Sequence, residues 1–238
     1  MCLVLFAIAP LDHYRFVVAA NRDEYYERPT RPATFWPENP EILAGKDLSM
    51  GGTWMGVTKS GRFAAVTNFR ETPASPVPPL SRGEITTHFL ESSDPAEAYL
   101  DNLATRASMY RGFNLILGDG DNFFYYSNQL EESIKLEPGF YGLSNQLIDC
   151  DWPKVSEGRE KLRSKIESKG LDQILFNLLS DEGDPRAFSN SFIASAEYGT
   201  RSQSVMTHRT DGTIKFSEKN FSKNGRPESS ESFTFSIL

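Results

Sequence analysis

Two apolar runs separated by a short turn open the chain, and they restrict its fold more than any other stretch. Residues 3–9 are unbroken apolar sequence, Pro10-Leu11-Asp12-His13 reads as a turn, and residues 14–20 form a second apolar run rich in β-branched side chains. Strands without polar alternation are buried on both faces, so this hairpin has to lie inside a layered structure. Setting Ala9 opposite Tyr14 makes paired positions sum to 23 and places Cys2 opposite Asn21. Cross-strand Cβ atoms lie about 4.5–5.5 Å apart, so Asn21-Arg22-Asp23-Glu24 would emerge beside the first residues of the chain.

Cys2 stands at that same end. Trimming of Met1 would leave a thiol and a free α-amine on one residue, a nucleophile that carries its own base. A free α-amine has a pKa of about 7.7–8.0 and a thiol about 8.5, so near neutral pH one can take the other's proton directly or through a water. By position alone Cys2 also reads as a small hydrophobe at the start of a strand. Four polar or charged residues ending a greasy strand beside it point to chemistry instead.

Further along, strand and helix patterns come in blocks. Residues 28–40 form a proline-rich connector, and 53–58 with 62–68 form a hairpin. Residues 73–79 are too proline-dense to pair in a sheet and read as a surface loop. Ser81-Arg82-Gly83-Glu84 and Asp94-Pro95-Ala96-Glu97 each place a capping side chain three residues before a glutamate, which marks two helix starts, with Pro95 suited to the first helical position. Strands return at 113–117, 123–126 and 140–143, and helices at 153–169 and 171–180. Strands at 201–208 and 213–216, joined across Asp211-Gly212, and at 232–237 close the pattern. Strand blocks flanked by two helical pairs give an α+β layered architecture without internal repeats, read as a single domain spanning 1–238.

With 238 residues there is enough chain for a substantial core. Lys and Arg total 25 against 32 Asp and Glu, a formal charge of −7, which disfavours nucleic acid and anionic membrane surfaces as partners. Two cysteines, Cys2 and Cys150, suit a reducing compartment better than a disulfide framework. The apolar opening lacks the basic flank of a secretory signal, and no stretch approaches the roughly 18 apolar residues of a membrane span. The expected location is cytoplasmic, with organellar import left open; the oligomeric state is not legible. His13, His88 and His208 lack metal-ligand spacing, and Gly51-Gly52 reads as a close backbone approach more than a phosphate cradle. Trp36, Trp54 and Phe123-Phe124-Tyr125-Tyr126 read as core.

Asn21-Arg22-Asp23-Glu24 resembles the motif that names the NRDE, or transport-and-Golgi-organisation, family, whose members begin Met-Cys. Arg28-Pro29, Phe35-Trp36, Gly51-Gly52-Thr53-Trp54-Met55-Gly56, Ser81-Arg82-Gly83-Glu84, Tyr141-Gly142-Leu143-Ser144-Asn145, Trp152-Pro153 and Tyr198-Gly199-Thr200-Arg201 resemble further family signatures, in family order. The resemblance implies a four-layer αββα sandwich of the N-terminal-nucleophile hydrolase type. It is similar, at greater distance, to cholylglycine hydrolases, penicillin V acylase and acid ceramidase.

Carried onto this sequence, that resemblance implies a cysteine nucleophile at Cys2, with Arg22 favouring the thiolate and Asp23 holding the α-amine. Asn68 and Asn145 are then oxyanion donors, and Arg201 fixes Asp23 or a substrate carboxylate. Arg22 and Asp23 are adjacent, whereas the distant amidases separate theirs by two residues. The implied activity is hydrolysis of a small amide or acyl thioester, requiring no cofactor or metal. The alternative reading is a non-catalytic carrier of haem or of acyl-CoA or lipid, in which haem is cargo, although no Cys-x-x-Cys-His attachment motif is present.

Overall fold

The computed structural model describes residues 2–71, 80–130 and 132–237; the loop expected at 73–79 lies outside them. Its elements are β1 (Leu3–Leu11), β2 (Tyr14–Tyr25), β3 (Thr30–Trp36), β4 (Asn39–Asp47), β5 (Met55–Thr58), β6 (Phe63–Asn68), α1 (Arg82–Glu91), α2 (Ala96–Ala104), β7 (Phe113–Asp119), β8 (Asn122–Ser127), β9 (Glu132–Leu136), β10 (Gly139–Leu143), α3 (Pro153–Lys165), α4 (Leu171–Leu179), β11 (Tyr198–Arg209), β12 (Thr213–Ser222) and β13 (Arg226–Ser236). They divide into two compact units. One holds the chain up to Arg28 with Pro138–Ser144 and Ile148–Ile237; the other holds Pro29–Glu137 with Asn145–Leu147.

The first unit is built on a six-stranded antiparallel sheet in the order β10-β1-β2-β11-β12-β13. Leu3, Leu5 and Ala7 of β1 with Val17 and Ala19 of β2 face α3 and α4, packing with Val155, Leu162, Leu175 and Leu179. Side chains of opposite parity, Val4, Phe6, Ile8, Phe16 and Val18, are buried as well. The hairpin therefore has no solvent face, as its unbroken apolar runs require. Two glycines let α3 approach closely: a Cβ on Gly158 would lie 2.9 Å from Leu5 Cδ1, and one on Gly142 would lie 2.8 Å from Val155 Cγ1.

The hairpin register differs from the expected one by a residue. Leu3 pairs with Asn21 and Ile8 with Phe16, so paired positions sum to 24, while Leu11 pairs with Tyr14 at the tip. The expected four-residue turn is a two-residue one, which alone would raise the sum from 23 to 25, and a β-bulge between Ile8 and Leu11, where Ala9 adopts φ 43°, brings it back to 24. β1 thus runs through Pro10 to a two-residue turn at Asp12-His13, and Cys2 continues toward the level of Arg22 rather than Asn21.

The second unit is a seven-stranded antiparallel sheet in the order β3-β4-β5-β6-β7-β8-β9. Ile85, Phe89, Leu100 and Leu103 of its two helices form a core with Trp36, Leu115 and Leu117, and Trp36 Nε1 donates to the Ala44 carbonyl at 3.0 Å. The segment read as a connector at 28–40 is largely strand. β3 tolerates Pro32 because it lies at the sheet edge and bulges between Arg31 and Thr34. α1 begins directly after Ser81, as the sequence indicates, but the serine makes no side-chain cap; α2 begins at Ala96 with Pro95, not Asp94, at the cap position.

Gly51 adopts φ 80°, and Gly52 is where the backbone enters β5 against the start of α1. A Cβ on Gly52 would fall 2.4 Å from the Gly83 carbonyl carbon, and Thr53 N donates to the Gly83 oxygen at 3.2 Å. Because the obstacle is backbone, relief requires the helix to move. Gly52→Ala is expected to cost about 1–3 kcal/mol, typical of overpacking, read as a lower thermal unfolding midpoint. An unchanged midpoint contradicts the close approach.

Candidate functional site

The polar exit of the first hairpin forms the candidate site in the first unit. Cys2 is half-buried and its thiol is free of disulfide; its carbonyl accepts the Ser144 hydroxyl at 2.5 Å, which ties the start of the chain to the end of β10. Arg22 and Asp23 are 6% and 5% exposed. Consecutive strand residues point to opposite faces, so these neighbours diverge. Asp23 shares the helix-facing parity of Val17, Ala19 and Asn21, whereas Arg22 shares that of Val18 and Ala20. Asn21 Nδ2 on the helix side donates to the carbonyls of Leu179 and Ser191, both at 2.8 Å, anchoring β2 to the end of α4 and to the loop beyond it.

A second bulge positions the partner of Asp23. β11 pairs Thr200 with Asp23 and Ser202 with Arg22, leaving Arg201 as the extra residue. Thr200 Oγ1 donates to Asp23 Oδ1 at 2.7 Å and accepts Ile193 N at 3.0 Å; Tyr198 Oη donates to the Asp23 carbonyl at 3.0 Å. Burial pushes the Asp23 carboxyl above the ordinary carboxylate range, against the Thr200 hydrogen bond and the charges of Lys154 and Arg22, which favour ionisation. Arg201 Nη1 donates to the carbonyls of Tyr25, Tyr26 and Arg28 at 3.3, 3.0 and 3.2 Å. That side chain clasps the outgoing end of β2, where sequence reasoning had it fix Asp23 or a substrate carboxylate.

Lys154 belongs to this cluster and was not among the expected residues. It is 3% exposed, in the first turn of α3, and its Nζ is buried without a hydrogen-bond partner. Burial lowers its pKa, while negative charge on Asp23, Cys2 and Cys150 would raise it. A cation in the first helical turn also opposes the macrodipole, and that misplacement directly after Trp152-Pro153 is the sequence signal that could have singled it out. Cys150 is half-buried, and desolvation raises its thiol pKa, which disfavours the reactive thiolate there.

Asn68 and Asn145 fall in the second unit. Asn68 is the last residue of β6 and is exposed; Asn145 is 4% exposed, its Nδ2 donates to the Asn68 carbonyl at 2.6 Å, and its own carbonyl accepts Arg70 N at 2.8 Å. The two expected donors are thus joined, with one N–H of the Asn145 amide engaged by backbone.

Residues 1–223 match the family model described as Transport and Golgi organisation 2. The chain belongs to that family. It is similar to the Transport and Golgi organization 2 homolog of Mus musculus, 34% identical with 92% of each chain covered, and to the Homo sapiens homolog at 34% with the same coverage. The Drosophila melanogaster Transport and Golgi organization protein 2 is 23% identical over 92% of each. Among solved structures, the C2A mutant of conjugated bile acid hydrolase from Clostridium perfringens is similar with a TM-score of 0.55 and 9% identity, covering 100% of this chain and 92% of that one. That likeness gives this member of the Transport and Golgi organisation 2 family the α+β, αββα-type fold of the N-terminal-nucleophile hydrolases. Among the described residues, no helix is long and apolar enough to cross a membrane.

The raised Asp23 carboxyl has a consequence for stability. Above its unfolded value of 3.8, the folded state keeps a proton that the unfolded chain has released, so the stability Asp23 contributes falls as pH rises from about 3.8 through its folded value. Asp23→Asn is expected to remove that downward component from the profile of unfolding free energy against pH, checked by denaturant titration across this range. A difference between parent and variant that does not vary with pH there contradicts the assignment.

Proposed function

We propose that the chain hydrolyses a small amide or acyl thioester with Cys2 as nucleophile. The observation that carries this reading is a buried Asp23 and a buried Lys154, both pushed toward neutrality by desolvation, gathered with a half-buried thiol at the end of one hairpin. Perturbed titratable groups kept away from water at such cost concentrate where chemistry is done. The similar fold of a protein named a hydrolase, whose structure is that of its C2A mutant, supports the same reading.

The chemistry follows from the groups present. With Met1 removed, the Cys2 amine takes the thiol proton as sulfur attacks the substrate carbonyl; a C–S bond forms and the carbonyl π pair moves onto oxygen. Collapse of that oxyanion breaks the C–N or C–S bond, and the amine hands its proton to the leaving group. Water then attacks the acyl-enzyme, the amine accepts its proton, and departure of the Cys2 sulfur with that proton returns the thiol. In this reading Asp23 orients the ammonium and Arg22 supplies fixed positive charge, while Asn145 and Asn68 are the candidate oxyanion donors. No cofactor takes part. A free thiol persists in a reducing compartment such as the cytoplasm.

Cys2→Ala is expected to abolish turnover across a panel of amides and acyl thioesters while leaving the unfolding midpoint in place. Intact mass should show protein from its native host lacking Met1, and trapped parent enzyme should gain one acyl group on Cys2. Tight binding of haem or acyl-CoA without any Cys2-dependent turnover would replace this reading with that of a carrier. The oxyanion assignment has its own test: a donor aimed at transition-state charge affects rate more than binding, so Asn145→Ala should lower kcat by about 10² to 10³ with little change in KM. Unchanged kcat at unchanged Tm removes Asn145 from the site.

A further inference from the structure

One buried row of the second unit is polar where the strand around it is apolar. Phe113, Leu115 and Leu117 of β7 pack with the helices, so Asn114, at opposite parity, faces the other side of the sheet together with Ile116. Thr67 of β6 and Ser127 of β8 pair with Asn114, and all three are buried. The Asn114 amide is engaged at both ends. Its Oδ1 accepts the Tyr125 hydroxyl at 2.8 Å, and its Nδ2 donates to Thr67 Oγ1 at 3.2 Å and to the Gln146 carbonyl at 3.1 Å. A carbonyl only accepts, so the Gln146 bond fixes which end of the amide is nitrogen, and the buried Tyr125 hydroxyl has to donate to the other end.

These bonds reach the chain neighbours of both candidate oxyanion donors. Thr67 directly precedes Asn68, and Gln146 directly follows Asn145. Asn114 therefore bridges the same two segments that Asn145 joins through its own amide on the Asn68 carbonyl at 2.6 Å, and Arg70 N adds a third tie to the Asn145 carbonyl at 2.8 Å. The result is a closed ring, with Asn145 on Asn68 along one side and Thr67-Asn114-Gln146 along the other. Such a ring removes freedom that either side alone would leave, and a buried, satisfied polar network specifies one arrangement where apolar packing accepts several.

We propose that Asn114, held by Tyr125, is a positioning residue for the oxyanion donors: it fixes the segment carrying Asn145 against the end of β6 and so sets where the Asn145 amide points. It touches no substrate. The inference rests on the hydrolase reading for its catalytic meaning, whereas the positioning itself is measurable without turnover.

The experiment follows the side-chain amide of Asn145 in heteronuclear NMR spectra of the intact, isotopically labelled protein, its signals assigned by their loss in Asn145→Ala. Asn114→Leu keeps the branched shape and deletes the amide; the Asn145 signals are expected to shift and to exchange with water about tenfold faster. Unchanged signals overturn the proposal and leave Asn114 with a role in β7 alone. Should Asn114→Leu fail to fold, Tyr125→Phe, which deletes one hydroxyl, takes its place: a shift of the same signals supports the proposal, and none overturns it. On an acyl substrate, Asn114→Leu is expected to lower kcat about tenfold with KM little changed, and to lower it no further when added to Asn145→Ala, because a residue acting through Asn145 then has nothing left to position. An equal loss in both backgrounds overturns the proposal. If the Asn145 signals respond to Asn114 but no acyl substrate turns over in the parent, the positioning stands and the hydrolase reading falls.

Discussion

The backbone ladder between β1 and β2 is the constraint on which the first unit depends. Both strands are buried on both faces, so every N–H and C=O along them has to be satisfied by neighbouring strands, and β10 and β11 supply those partners on either side. A hairpin fixed in this way brings Cys2, Arg22 and Asp23 to one end with little freedom to drift. The Ser144 hydroxyl on the Cys2 carbonyl extends the same restraint past the last paired residue. Polar groups can then be carried into the interior because the rigid strands decide which face each one meets.

The adjacency of Arg22 and Asp23 gains a meaning from this geometry. Neighbouring residues of a strand point to opposite faces, so a fixed positive charge and a carboxylate that follow one another leave the end of the hairpin on two sides of the sheet. Asp23 meets the helix layer, where Thr200 satisfies one oxygen and Lys154 supplies positive charge. The bulge at Arg201 is what makes the first of these contacts available, since it sets Thr200 opposite Asp23 while the strand beyond keeps its pairing with β2. Arg201 itself, displaced by the bulge, is used to gather three carbonyls at the strand's end.

Much of this was legible in the sequence where patterning and location coincide. The double-sided burial of the opening hairpin, the two helical pairs and the Asp211-Gly212 turn all follow from local composition, and the turn has Gly212 at φ 85° with Thr213 N on Asp211 Oδ1. Edge strands were not legible: β3 carries a proline and β9 is mostly exposed, so neither shows the apolar run of a central strand. The register failed for a different reason, because Pro10-Leu11-Asp12-His13 reads as a four-residue turn where the structure has a two-residue one, and Ala9 is not a residue that announces the left-handed conformation of the bulge that partly offsets it. Lys154 was hidden by type, since a lysine in a helix reads as surface until the glycines that draw the helix onto the sheet are known.

The bulge at Ala9 also bears on how this segment can vary between related chains. Side-chain orientation alternates residue by residue, so a hairpin of this kind has two phases, and the bulge is where the tip and the base change from one to the other. A glycine or asparagine at that position accepts the same backbone and preserves the phase, whereas valine or isoleucine does not. Loss of one residue between Ile8 and Leu11 would leave the turn intact yet rotate everything on its far side. Length variation in the first hairpin is therefore confined to compensated changes, and an alignment that opens a single-residue gap there describes a chain whose second residue no longer faces the same neighbours.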